Sequence, residues 1–107
     1  MFTRIVEINA KSGKGRDLIR TVNDKVMSIL RDQPGFLDEI TLTSQENSDR
    51  IVALSFWRSQ QEAEVYNRET FPRVNEAIRN LIEGSPRVRT FDVASSTVHN
   101  ITVSKAA

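Results

Sequence analysis

Arg50-Ile51-Val52-Ala53-Leu54-Ser55-Phe56-Trp57 is the stretch that decides the fold. It is β-branched, aromatic or alternating along its whole length, so it reads as a strand. Its two faces are both apolar: Ile51, Ala53 and Trp57 fall on one side, and Val52, Leu54 and Phe56 on the other. A strand of this kind needs cover on both sides. On the N-terminal side, the polar run Ser44-Gln45-Glu46-Asn47-Ser48-Asp49 links it to a second strand-like segment, Phe36 to Thr43, which predicts a β-hairpin.

Pro34-Gly35 precedes that hairpin and ends a helix, since proline disfavours helical geometry in the residue before it and glycine accepts a helix exit at positive φ. Upstream, Leu18, Ile19, Val22, Val26, Ile29 and Leu30 recur at three- and four-residue spacing, the stripe of one long amphipathic helix. Ser12-Gly13-Lys14-Gly15 separates it from a first strand, Phe2 to Ala10. There Phe2, Val6, Ile8 and Ala10 share one side, while Ile5 lies among Thr3, Glu7 and Asn9 on the other.

Downstream, Ser59-Gln60-Gln61-Glu62 has capping-box spacing and starts a second helix. Its stripe passes through Ala63 and Tyr66, breaks near Pro72, and resumes with Phe71, Val74, Ile78 and Leu81. Gly84 and Pro86 are expected to close it. Val88 to Val93 then supplies a fourth strand, whose alternation shifts phase between Val88 and Phe91 as a bulge would produce. The order is β-α-β-β-α-β: an α+β, ferredoxin-like domain with a four-stranded antiparallel sheet.

Two helices cover only one face of such a sheet. The apolar outer face of the third strand therefore predicts a homodimer through the open face, a self-complementary surface. The domain is expected to span residues 1–94. Residues 95–107 form a C-terminal arm in which Val98, Ile101 and Val103 stay apolar, an arm expected to pack on the partner subunit.

The 107 residues suffice for one self-sufficient core. No cysteine is present, which removes disulfides and thiol chemistry and fits a cytoplasmic setting. No apolar run approaches a membrane span, and no export signal is visible at Met1 to Ala10. The formal net charge of +1 offers no field to gather nucleic acid. RNA binding by this strand order also needs stacked aromatics and glycine on the third strand, and Arg50 to Phe56 has one aromatic and no glycine.

Pro34-Gly35-Phe36 after a long helix, the Asn47-Ser48-Asp49 turn, and Phe56-Trp57-Arg58-Ser59-Gln60-Gln61-Glu62-Ala63 together resemble the antibiotic biosynthesis monooxygenase family. The resemblance covers Met1 to about Ala94. It implies a dimeric α+β barrel with a pocket between sheet and helices, used in that family for cofactor-independent oxidation of polyketide phenols or for oxidative opening of haem. At the positions of the haem-opening signature, an asparagine, a tryptophan and a histidine, this chain carries Val6, Tyr66 and Asn75. Valine cannot donate the asparagine's hydrogen bond, and an amide is a poor iron ligand, so haem degradation is disfavoured.

The expected activity is that of a small monooxygenase acting without cofactor or metal on an aromatic, polyketide-like molecule. A non-catalytic ligand-binding or interaction dimer is the alternative. Catalytic residues are not identified by any motif: no paired carboxylates, serine triad, phosphate loop or metal spacing accompanies the pocket. The substrate-binding candidates are Tyr66, Asn75, Trp57, Phe71, Glu7 and Asn9. Tyr66 offers a ring and one polar group. Trp57, at a strand end before a capped helix, reads first as a packing anchor. The sole histidine, His99, lies in the arm and would act only if the arm folded over a pocket.

Overall fold

The computed structural model describes residues 1–101. The chain runs β1 (Phe2–Ala10), α1 (Gly15–Thr21), a π-helical turn (Val22–Val26), α2 (Met27–Arg31), β2 (Phe36–Thr43), β3 (Arg50–Trp57), α3 (Gln60–Glu69), α4 (Phe71–Ile78), a 3₁₀ turn (Arg79–Leu81) and β4 (Ile82–Asp92). The strands form one antiparallel sheet in the order β2-β3-β1-β4. This is the ferredoxin-like arrangement expected, with all helices on one face.

α1, the π turn and α2 make one continuous helical rod, and its geometry follows from residue spacing. Leu18, Val22, Val26 and Leu30 are spaced four apart, and in a regular α-helix each step of four would drift roughly 40° around the axis. The wider π turn, closed by i→i+5 bonds, takes up that drift. All four side chains consequently point inward, with exposures of 0%, 5%, 6% and 3%.

One carboxylate ties three elements together. Asp49, at the end of the β2–β3 turn, accepts from the amides of Gly13 (3.0 Å) and Gly15 (2.9 Å). Its own carbonyl accepts from Ala10, the last residue of β1 (2.7 Å). Gly15 is glycine because the turn passes directly over it: a Cβ would run into the Ser48 carbonyl oxygen. Gly35 has φ +81° after α2, and a Cβ there would collide with the Glu62 side chain.

The N-cap half of the capping box forms, while the Glu62 carboxylate meets the Ser59 hydroxyl and not its amide. The Glu62 amide donates to Ser59 Oγ (3.2 Å), and the Ser59 hydroxyl donates to Glu62 Oε1 (3.0 Å). The second helix splits at Thr70, with Pro72 in the first turn of α4 where its missing N–H is harmless.

β4 departs from expectation. It begins at Ile82, six residues before Val88, and Gly84 and Pro86 lie within it instead of closing the helix. The register slips opposite Glu7 and Asn9, where Arg87 and Glu83 are the partners. Glycine at φ +66° and proline are the residues such a bulge accommodates. From Arg87 to Asp92 the pairing is regular, so Val88 and Phe91 differ in face without a bulge between them.

β2 also holds a shift, between Phe36 and Asp38. Beyond it Glu39 pairs with Ser55 and points with it toward the helices, while Ile40 and Leu42 turn to the open face. That face carries Ile40, Leu42 and Phe91 at 44%, 48% and 49% exposure, beside half-buried Val52, Leu54 and Phe56. After β4, Val93 donates to the Met1 carbonyl (2.9 Å), and the arm brings His99 over Phe56, ring centroids 6.1 Å apart. Residues 102–107, including Val103, lie outside the described residues.

Candidate functional site

Between the sheet and the helical rod lies a cavity of about 50 Å³. Its apolar wall comes from Val6, Ile8, Val22, Val26, Leu30 and Val74, among others. Four polar side chains interrupt that wall: Arg4 from β1, Glu39 from β2, Ser55 from β3 and Tyr66 from α3.

Tyr66 is 3% exposed and anchors an aromatic stack, with Trp57 at 4.9 Å and Phe71 at 6.1 Å between ring centroids. Burial pushes its phenol up to about 12, and the neighbouring Arg4 charge only partly opposes this. The hydroxyl therefore stays protonated at any physiological pH.

Arg4 is 3% exposed. Its guanidinium carbon lies 5.0 Å from the Tyr66 ring centre and 4.5 Å from that of Phe71, and one terminal nitrogen donates to Asn67 Oδ1 at 2.9 Å. Burial lowers its proton affinity, with Tyr66 acting in the opposite sense. Glu39 is half-buried, and burial raises its carboxyl above the usual range, against the Thr41 hydroxyl, which donates to both oxygens (3.0 and 2.9 Å).

Of the residues singled out in the sequence, Tyr66 and Phe71 line the cavity. Trp57 is fully buried behind Tyr66, edge-on to Phe36 (5.6 Å), its indole N–H donating to Ser55 Oγ (2.9 Å). It supports the wall and does not line the space. Asn75 faces a groove on the other side of α4, against the β4 bulge at Gly84 to Pro86, and its buried Oδ1 has no partner among the described residues. Glu7 and Asn9 are off the cavity: Glu7 pairs with Arg89 on the open face (2.6 Å) and Asn9 is exposed. Both sit in the alternate phase of β1, which points away from the helices. Val6 and Tyr66, of the haem-opening positions, reach the cavity and Asn75 does not.

Arg4 and Glu39 are the residues sequence reasoning passed over. The signal for Arg4 was available, since it occupies the inward phase between Phe2 and Val6. Glu39 was hidden by the register shift in β2. His99 lies over the open sheet face, with Nε2 3.6 Å from Asp38, and is not near the cavity. Among the described residues no group of His, Cys, Asp or Glu could hold a metal ion, and no helix is long and apolar enough to cross a membrane.

A ferredoxin-like α+β domain with a partly polar cavity between sheet and helices is the class these features define. The chain belongs to the antibiotic biosynthesis monooxygenase family, whose profile matches residues 1–70, the span that contributes Arg4, Glu39 and Tyr66. No curated protein sequence matches the chain. Among solved structures it is similar to a monooxygenase from the ActVA-Orf6 gene of Streptomyces coelicolor in complex with the ligand nanaomycin D (19% identity, 92% of each chain, TM-score 0.76). It is also similar to SnoaB, a cofactor-independent oxygenase from Streptomyces nogalater (15% identity, 92% of this chain and 97% of that one, TM-score 0.74). A protein of unknown function from Nitrosomonas europaea shares the fold equally well (10% identity, 92% and 94%, TM-score 0.77). At these identities the likeness establishes the fold alone.

Proposed function

We propose that the protein is a small cofactor-independent monooxygenase that oxidises an electron-rich aromatic, of polyketide type, in the cavity around Tyr66. The observation that carries this reading is the grouping of a buried phenol, a buried guanidinium and a carboxyl of raised proton affinity in an otherwise apolar cavity. The family and the likeness to SnoaB support it.

In this reading Glu39 accepts the proton of a substrate phenol, its raised affinity making it a better base than an exposed carboxylate. Tyr66 donates a hydrogen bond to a substrate oxygen and Phe71 packs the ring. The phenolate supplies electrons to O₂, and a C–O bond forms at a ring carbon. Cleavage of the O–O bond with loss of that carbon's hydrogen gives a quinone and one water, so that no external reductant is consumed. The walls exclude bulk water from the anion. Ligand sites usually measure ~300–1,000 Å³, so a ring-sized substrate must spread the walls of a 50 Å³ cavity.

We further propose that the open face, with Ile40, Leu42 and Phe91, pairs with a second copy, and that the arm after Asp92 contributes to that contact, in a cytoplasmic homodimer. The small cavity favours one other reading, a ligand-binding or interaction dimer without catalysis. Oxygen uptake with phenolic polyketides separates the two. Uptake above the autoxidation background, reduced about 100-fold by Glu39→Gln, supports catalysis. Uptake at background, unchanged by Tyr66→Phe, removes it.

A further inference from the structure

Arg4 is a cation placed where cations are rare, in the middle of a central strand and almost wholly out of water. A buried charge is ordinarily matched by an opposite one. Here every partner is neutral: the amide oxygen of Asn67 and the faces of Tyr66 and Phe71. Among the described residues Arg4 takes part in no ion pair. Glu39 shares the cavity, yet among the described residues it forms no ion pair with Arg4 and its carboxylate accepts instead from the Thr41 hydroxyl. Among the described residues the guanidinium therefore sits in a dry site with no carboxylate in contact.

We infer that Arg4 recognises a negatively charged substituent of the bound molecule, so that the ligand is an aromatic acid or a ring oxyanion and not a neutral ring. The inference rests on reading the cavity as a binding site, and it deepens that reading by naming the ligand's charge. Arg4 also lines a second hollow of about 170 Å³ between α3 and β4, floored by Phe2, Ala63 and Val88. The guanidinium thus stands between the inner cavity and an outer groove. Glu64, held by Gln60 at 2.9 Å, lies on the groove's rim and disfavours bare anions there. The charge reaches Arg4 when carried on an apolar body.

A pair of probes that differ only in charge tests this without chemistry: 2-naphthoate and its neutral isostere 2-naphthamide, neither of which is a phenol. Calorimetric titration of the full-length protein should show naphthoate binding at least tenfold more tightly. Arg4→Met should equalise the two. Asn67→Asp, which sets a carboxylate beside the guanidinium, should also abolish the preference while raising the melting temperature. Equal affinities in the unaltered protein, binding of neither probe, or a preference surviving in both variants overturns the inference. A charge preference accompanied by background oxygen uptake upholds it while removing the oxygenase reading.

Discussion

Alanine in place of glycine in a helix ordinarily stabilises by ~0.5–1 kcal/mol. At Gly15 the structure demands the opposite. The new Cβ would meet the Ser48 carbonyl oxygen and lie 2.9 Å from Asp49 Oδ1, the atom that accepts the Gly15 N–H. The carbonyl is backbone and cannot swing aside, so the helix start must lift off the turn. Overpacking of this kind costs about 1–3 kcal/mol, and loosening the charge-assisted bonds to Asp49 adds roughly 1.5–3 kcal/mol. After the helix-propensity gain, a net loss of about 2–5 kcal/mol remains, which lowers Tm by about 8 °C or more in a domain of this size. Gly13→Ala is the internal control. Gly13 has φ +78° with nothing within 4 Å of a Cβ, so only the left-handed conformation is penalised, at about 1–2 kcal/mol. Urea unfolding at one protein concentration, followed by the fluorescence of the single tryptophan, reads both variants. Gly15→Ala as stable as the parent chain, or Gly13→Ala the worse of the two, would refute the reasoning.

The chain has one tyrosine, so absorbance titration of the folded protein should show no phenolate near the ordinary value, with ionisation delayed to about 12. Stability from the neutral phenol is complete below that ordinary value and lost as pH climbs toward 12. Glu39 follows the same sign: its raised carboxyl contributes stability at low pH that fades as pH rises through the folded value. Glu39→Gln should consequently be more stable than the parent at pH 8, with the advantage shrinking on acidification, as thermal melts across pH would register. Trp57→Ala, emptying a fully buried site behind Tyr66, should cost about 3–5 kcal/mol in chemical denaturation. Leu42→Lys, at a 48% exposed open-face position, should leave folding intact and shift sedimentation toward monomer.

The order of elements was legible because each boundary had a chemical mark: Pro34-Gly35 after the rod, Asn47-Ser48-Asp49 in the hairpin, Ser59 and Glu62 at the cap. Errors arose where one mark fits two structures. Gly84 and Pro86 end helices, yet they also populate bulges, and the sheet pairing that decides between these is not local. The same non-locality governed the site. Alternation read from Phe36 onward turns Ile40 and Leu42 inward, whereas the shift at Asp38 reverses the phase and delivers Glu39 to the cavity. Tyr66 and Phe71 reach the cavity because aromatic residues on a helical stripe meet a core whatever the register. Glu7 and Asn9 lie in the phase of β1 that points away from the cavity, which only the sheet's packing decides.

The π turn implies that the rod contains one residue more than an α-helix of the same reach would use. Removing Asp24, exposed and between the inward Val22 and Val26, would change the apolar spacing from four-four-four to four-three-four. That is the rhythm a straight α-helix prefers. The stretch 22–26 is accordingly a place where chain length is negotiable: a single deletion there regularises the helix, while an insertion widens an already loose turn. Since Val22 and Val26 face the cavity, that one residue also governs how far the wall stands from the sheet.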